Sequence, residues 1–331
     1  MTAYAPTAAQ FTAVAARWGL GRLAEAVPLV GGAVNPAWLL NGRAVLRLNQ
    51  REPDSPKVAK EAWALGWAAG RLGTVQVPAV LGVDTSRLIL PYDYLLLEYL
   101  PGERGDTLWA AATLAAQADL SRQLGATLAR LHALPLPGDR YGGWDTVTAT
   151  LGSDESWATV TARHIDQLLA QAADLALLPP DQWAAVRAWF AAYRACVPDT
   201  PPRSLVHGDF GLWNTLGMTT SDPAVITAVF DFEWAQAAPA PLDFPPIFAD
   251  PSDPLDPAAF LVGYSGDSRL PAAFVQQAHY YALAYHLDLL GVVQRYWGGQ
   301  GGAPHQAAIA ALLCRTPISG WAAAGYGWPF A

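Results

Sequence analysis

Apolar residues follow two rhythms along the 331-residue chain. Near the start they come in short runs: "AVPLVGG" (26–32), "AWLLN" (37–41), "AVLRLN" (44–49), "VPAVLGVD" (77–84), "RLILP" (87–91) and "YLLLEYLPGE" (94–103). Runs of this length, bounded by Gly, Pro and Asn, predict β-strands. Asn41-Gly42 between the second and third is the dipeptide of a tight hairpin, because both central positions of that turn need positive φ. Residues 55–73 switch to helical spacing, with Ser55 expected as the cap, Pro56 at the first position and Gly73 just past the end. A shorter amphipathic helix at the N-terminus would place Phe11, Val14, Ala15 and Trp18 on one side.

After "PGERGD" (101–106) the period becomes helical, over 106–134, 156–177, 181–196, 271–297 and 304–314. Between these helices lies a small β-like insert: "SLVHGD" (204–209), "NTLGM" (214–218) and "AVITAVFDF" (224–232). Pro-rich breaks punctuate this half at 198–202, 239–246 and 251–257. The pattern predicts an α+β chain in two lobes. Residues 1–98 form an antiparallel-sheet lobe with one helix, Glu98–Gly102 a linker, and 99–331 a larger, mostly helical lobe, with a cleft between them.

Composition narrows what the cleft could serve. Hydrophobic residues make up 52% of the chain and charged ones 15%, which excludes a disordered, solvating chain. A net charge of −8 without any Lys/Arg-rich run argues against nucleic acid as a partner. Lysine occurs only at positions 57 and 60; the other cations are scattered arginines. Cys196 and Cys314 stand far apart, so neither a disulfide framework nor a zinc site is expected, and both are expected as buried free thiols. No apolar run approaches the ~18 residues of a membrane span. The first twenty positions lack a basic stretch followed by an apolar core, so the expectation is a cytoplasmic protein that engages no membrane.

The chemistry gathers in "LVHGDFGLWNTL" (205–216). Gly, Asp and Asn are ordinary turn residues, and a turn is one reading of the stretch. The other is a catalytic loop. Asp209 follows an apolar pair, and Asp231 ends "AVITAVF" twenty-two positions later, which suffices for a loop, a strand, a turn and a returning strand. Such a hairpin would gather Asp209, Asn214 and Asp231. An Asn and an Asp are hard oxygen donors of the kind that suits Mg²⁺ when phosphate completes its octahedron. Asp209 would then be free to accept a hydroxyl proton.

His207-Gly208-Asp209-x4-Asn214 followed by Asp231-Phe232-Glu233 resembles the catalytic loop and metal motif of the aminoglycoside phosphotransferase/choline kinase family, small-molecule relatives of protein kinases. The resemblance runs from about Leu20 to Tyr296. It implies a two-lobed, protein-kinase-like fold that uses ATP or GTP with Mg²⁺. The γ-phosphoryl group would pass to a hydroxyl of an aminoglycoside, another antibiotic, a sugar or an amino-alcohol. It implies Asp209 as the base, Asn214 and Asp231 as metal ligands, His207 as a loop brace, and Asp243 of Pro241-Leu242-Asp243 as a buttress of the loop. His132 in "LARLHAL" (128–134) matches a helix of the family and reads as a packed structural residue.

On the nucleotide side the resemblance implies a phosphate-covering loop in "VGGAVNPAWLL" (30–40), with Gly31, Gly32 and Asn35; the two glycines equally describe a plain turn. Arg47 stands where the family carries the cation of its third strand, and Glu61 is its natural partner, unless Arg47 is a solvated edge charge. The adenine would meet backbone at Glu98, Tyr99 and Leu100. No GxxxxGK[ST] motif is present, so this is not a P-loop enzyme. Candidate acceptor contacts are Glu233 and, on the last long helix, Tyr285, His286 and Asp288; Asp288 also reads as an intrahelical salt-bridge partner.

Three rival functions are weighed. A protein kinase needs an activation segment, but only twelve positions separate Asp231 from Asp243 and no Ala-Pro-Glu follows. A catalytically inactive kinase-like binding protein is at odds with the joint presence of Asp209, Asn214 and Asp231. A metallohydrolase built on His207 and Asp209 lacks a further ligand set. The expected partner is a small-molecule hydroxyl acceptor, and the expected state is monomer or homodimer.

Overall fold

Thr7 opens the first helix, α1 (Ala8–Arg17), with a reciprocal cap: its hydroxyl accepts from Gln10 N–H and the Gln10 side chain returns to the Thr7 N–H. A computed structural model of the chain describes residues 4–29, 35–219, 224–245, 255–266 and 268–314. Phe11, Val14 and Ala15 are buried, as the spacing predicts, and Trp18 caps the helix with its indole N–H donating to the Tyr94 hydroxyl.

The early apolar runs form an antiparallel sheet. Its strands are β1 (Ala26–Leu29), β2 (Ala37–Leu40), β3 (Ala44–Leu48), β4 (Val80–Asp84) and β5 (Tyr94–Glu98), in the order β1-β2-β3-β5-β4. The period of two decides what each face carries. Ala44, Leu46 and Leu48 of β3, with Tyr94 and Leu96 of β5, pack against Phe11 and Val14 of α1. Leu95 and Leu97 point the other way, to a second core shared with α2 (Lys57–Ala68) and the helical region. Arg47, between Leu46 and Leu48 and opposite Leu95, belongs to this second face, which is how a charge enters the interior.

Two expectations about this region fail. "RLILP" is not a strand, because β4 and β5 pair directly with each other and the run is their connection. Arg87 there has φ 55° and its guanidinium holds Asp93 at 2.8 Å, while Leu88 is exposed. The cap of α2 also differs: Pro56 is the N-cap, no side chain caps it, and Ser55 is left one residue outside.

The helical region holds α3 (Gly105–Ala111), α4 (Leu114–His132), α5 (Trp157–Asp174), α6 (Pro180–Tyr193), α7 (Pro257–Ser265), α8 (Ala272–Trp297) and α9 (Ala303–Leu313). The expected helix over 106–134 is two helices, since the chain bends at Ala112 and Thr113 re-caps the second by accepting from Ala116 N–H. The helix α7 and the strands β7 (Tyr141–Asp145), β8 (Thr150–Ser153) and β12 (Gln236–Ala238) were not foreseen. Gly125 and Gly263 let α4 and α7 touch: a Cβ at either would lie within about 2 Å of a carbonyl oxygen of the other helix.

Two small antiparallel sheets complete the region. One orders β11-β10-β6, from β11 (Val225–Val229), β10 (Thr215–Met218) and β6 (Glu103–Arg104); the other orders β8-β7-β12-β9, with β9 spanning Ser204–Val206. The cysteines are free, but Cys196 is half-buried and Cys314 exposed, against the expectation of burial. Among the described residues no helix is long and apolar enough to cross a membrane.

Candidate active site

Strand geometry delivers the three candidate polar residues to one place. β9 ends at Val206 and feeds His207, while β10 begins at Thr215 and pairs with Val229 of β11. The loop between β9 and β10 is short, so Asn214 and the turn after β11 must face each other; Phe230 N–H donates to Asn214 O at 3.0 Å. Asn214 Nδ2 donates to the Asp209 backbone O at 2.8 Å and to Asp209 Oδ2 at 2.9 Å. With its amide hydrogens committed to Asp209, the oxygen of Asn214 is the end left for a cation.

The loop is braced from below. Asp243 is fully buried, and its carboxylate accepts from His207 N–H at 2.8 Å and Gly208 N–H at 2.6 Å. His132 Nε2 lies 2.9 Å from the same carboxylate and its Nδ1 2.8 Å from the Tyr264 hydroxyl, so α4 and α7 hold the buttress. The His207 ring is buried too. Its Nε2 donates to Phe230 O at 3.0 Å and its Nδ1 accepts from Asp209 N–H at 3.3 Å, a pattern that fits only the neutral ring. Burial lowers the imidazole pKa and keeps it so, with Asp243 opposing. His207 braces the loop as a neutral imidazole with its one ring proton on Nε2, committed to Phe230 O. Gly208 sits at φ 85°, where a Cβ would also be 2.6 Å from Trp234 O.

Asp209 is only partly buried by its surface, yet its surroundings are crowded. Burial first, then the charge of Asp231, pushes its carboxyl up to about 7, while Asn214 and Trp213 donate hydrogen bonds that pull it down. Asp231 has φ 69°, a left-handed backbone that is strained for any residue but Gly. Its Oδ1 lies 2.7 Å from Arg47 Nη2 without hydrogen-bond geometry and has no hydrogen-bond partner among the described residues.

Arg47 reaches across the cleft. Its Nη1 donates to Glu61 at 2.7 Å, as the sequence predicts, while Nη2 meets both Asp231 and Glu233. Glu61 faces it from the buried side of α2, where Lys57, Val58, Glu61, Ala64, Leu65 and Ala68 recur at helical spacing. Burial works against the Arg47 charge, but Asp231, Glu61 and Glu233 together more than offset it and hold its pKa above the ordinary value. Burial pushes the Glu61 carboxyl the other way, upward, with Arg47 opposing. Glu61, Asp231 and Glu233 thus crowd one guanidinium, and that guanidinium stays charged.

The remaining candidates divide. Gly31 and Gly32 lie outside the described residues. Asn35 is buried; it donates to Glu233 at 3.1 Å and accepts from Gln50 N–H at 3.2 Å, so it belongs to this cluster. Glu233 is gripped by Arg47, Asn35 and Lys57, in the same cluster as Asn35 and Glu61. In the linker, Glu98 N–H donates to Ala79 O and Tyr99 N–H to Arg43 O, so those two amides are spent. His286 is buried, with its Nδ1 3.1 Å from His305 Nδ1 of α9. Tyr285 stacks edge-on to His286. Asp288 is half-buried, and burial raises its carboxyl, with His164 of α5 and Arg295 opposing; Glu52 and Lys57 lie near enough to act on it as well.

Sequence reasoning missed Lys57. Its Nζ is buried and lies 3.5 Å from Glu233, 3.3 Å from Glu52 and 3.7 Å over the Trp234 ring. Its rarity was the available signal. Between Asn35, Arg47, Lys57, Glu61 and Glu233 the packing leaves a cavity of about 10 Å³, room for at most one water. A wider hollow of about 550 Å³ is lined only by Glu155 and residues of α5 and includes none of these groups.

The sequence profile of the phosphotransferase enzyme family matches residues 25–275. No curated protein sequence matches the chain. Among solved structures, an aminoglycoside phosphotransferase, APH(2")-IIa, in complex with gentamicin superposes with a TM-score of 0.67 at 14% identity, covering 95% of this chain and 98% of that one. A fructosamine-3-kinase from Haemophilus somnus 129PT gives 0.62 at 18% identity, over 92% and 95% of the two chains. The macrolide 2'-phosphotransferase MphH from Brachybacterium faecium gives 0.56 at 25% identity, over 91% and 96%. These likenesses share the kinase-like fold, an antiparallel sheet lobe beside a helical region. With the profile spanning most of its length, the chain belongs to the phosphotransferase enzyme family and is a small-molecule phosphotransferase that acts on hydroxyl groups.

Proposed function

We propose that the protein transfers the γ-phosphoryl group of ATP or GTP, with Mg²⁺, to a hydroxyl of an antibiotic, sugar or amino-alcohol. The chain would work as a nucleotide lobe, 1–98, and a catalytic and acceptor lobe, 99–331. The observation that carries this reading is the Asn214–Asp209 pair, 2.9 Å apart, facing Asp231 across the β10–β11 hairpin. Similar structures have been solved with ADP, GDP or ATP bound, and with acceptors such as gentamicin.

The donors fit a hard cation. Asn214 and Asp231 offer oxygens, and the buried Asp231 Oδ1 lacks a hydrogen bond among the described residues. These two residues would hold Mg²⁺, which when bound neutralises charge on the phosphates. Arg47 would steady the inner phosphates once released from the carboxylates around it. Leu100 would position the base. Phosphoryl transfer has a loose transition state, so alignment and charge carry most of the work. Asp209 orients the acceptor hydroxyl and takes its proton late; a carboxyl with pKa near neutrality suits that task. Asp288 of α8 is the acceptor contact we retain.

Incubation with Mg²⁺, ATP or GTP and a panel of hydroxylated small molecules tests the reading. One or more acceptors should gain a single phosphoryl group by mass spectrometry, with stoichiometric release of the nucleoside diphosphate. Absence of nucleotide binding at millimolar concentration, together with no transfer to any acceptor, would overturn it.

A further inference from the structure

We propose that Lys57 is the cation that meets the terminal phosphoryl group of the bound nucleotide, and that the Glu233 carboxylate takes the place of that group's oxygens before the nucleotide arrives. The proposal rests on the phosphotransfer reading above and adds to it a residue that no motif marks.

One carboxylate collects three donors. Glu233 Oε2 binds Arg47 Nη2 and, at 3.1 Å, Asn35 Nδ2, while Oε1 lies 3.5 Å from Lys57 Nζ. Arg47 and Asn35 occupy positions that face nucleotide phosphate in the proposed reaction. A carboxylate and a phosphoryl group offer the same acceptors to such donors. The third donor then belongs to the same ligand. Lys57 Nζ is ready for one: the side chain is 4% exposed, and among the described residues Nζ has no hydrogen-bond partner, its contacts being the ion contacts with Glu52 and Glu233 and the face of Trp234.

Position says which phosphate. Trp234, beneath Nζ, presses its backbone oxygen and Cβ against Gly208, next to Asp209. Lys57 Nζ thus lies over the residue that packs against the loop carrying the base, on the side where the transferred group would meet the acceptor. That group needs a cation, and the loop from His207 to Asn214 supplies none, having no lysine or arginine and a neutral histidine. Only two of the chain's twenty basic residues are lysines, and both Lys57 and Lys60 sit over Trp234. A compact ammonium on a flexible stem can follow a moving phosphoryl oxygen as a planar guanidinium cannot. The cavity of about 10 Å³ admits no phosphate, so Glu233 must swing aside as nucleotide enters.

The test is calorimetric, with Mg²⁺ and either ADP or a non-hydrolysable ATP analogue. Lys57→Ala is expected to weaken the triphosphate about tenfold or more and to leave ADP within about twofold. Glu233→Gln, which keeps the shape and removes the competing charge, is expected to bind the triphosphate more tightly than the parent. Should Lys57→Ala not fold, Lys57→Gln keeps a packed stem without the charge and is read in the same way. Equal loss for both nucleotides, no loss for either, or weaker triphosphate binding by Glu233→Gln would overturn the proposal. A parent protein that binds neither nucleotide would instead overturn the phosphotransfer reading.

Discussion

Asp209 carries a conflict between stability and function. In the native state it holds its proton up to about pH 7, whereas an unfolded chain releases it near 3.8. Between those values the native state binds more protons than the unfolded one, so stability falls as pH rises through the window. The cause is burial beside Asp231, which is also what suits the group to accept a hydroxyl proton. Asp209→Asn removes the titration and keeps the hydrogen bond from Asn214. Thermal melts should show the variant more stable than the parent at pH 8, with the gap closing toward pH 4. Each kcal/mol relieved is worth on the order of 2–4 °C. Turnover should fall by about 10²–10⁴-fold in the same variant. A variant no more stable than the parent at pH 8 would mean that Asp209 is not strained by its neighbours.

At the scale of elements, the catalytic loop depends on groups far from it in sequence. Asp243 satisfies the His207 and Gly208 amides and meets the His132 ring; Asp243, His207 and His132 are buried and Gly208 is partly so. Asp243→Ala would leave those donors unpaired, at a cost of about 3 kcal/mol or more, readable as a shift in the urea midpoint with an unchanged slope. Gly208→Ala combines φ 85° with a Cβ 2.6 Å from Trp234 O, and should cost roughly 1–3 kcal/mol and most of the turnover. The sequence made this loop legible because polar residues ended apolar strands at a spacing that only a hairpin could close. The Arg47–Glu61 pair was legible for a similar reason, with alternation on β3 meeting helical spacing on α2. "RLILP" misled because an apolar run carries no sign of whether its neighbours already pair with each other. Lys57 was out of reach because Glu233 and Trp234, which it meets, lie at separations that no local pattern encodes. The burial of His286 was not legible because periodicity cannot say which side of a long helix meets another helix.

For the whole molecule, the cleft is crossed by two kinds of contact. An apolar core runs from Leu95, Leu97, Val58 and Leu65 of the sheet side into Leu124, Leu128 and Phe232 of the helical side. Over it lies a polar clamp in which Arg47 and Lys57 hold Asp231 and Glu233. The core fixes the relative placement of the two sides, so admitting nucleotide requires rearranged side chains at the clamp more than separated lobes. In the proposed reaction the cleft divides its labour: Asn214 and Asp231 would serve the metal-bound nucleotide, and Asp209 the acceptor. Calorimetry of nucleotide binding with and without Mg²⁺, on the parent and on Asn214→Ala, Asp231→Ala and Asp209→Ala, measures it directly. The first two variants should lose the Mg²⁺-dependent gain in affinity, while Asp209→Ala should keep it and still fail to turn over. Equal loss of affinity in all three, or none in any, would contradict the assignment.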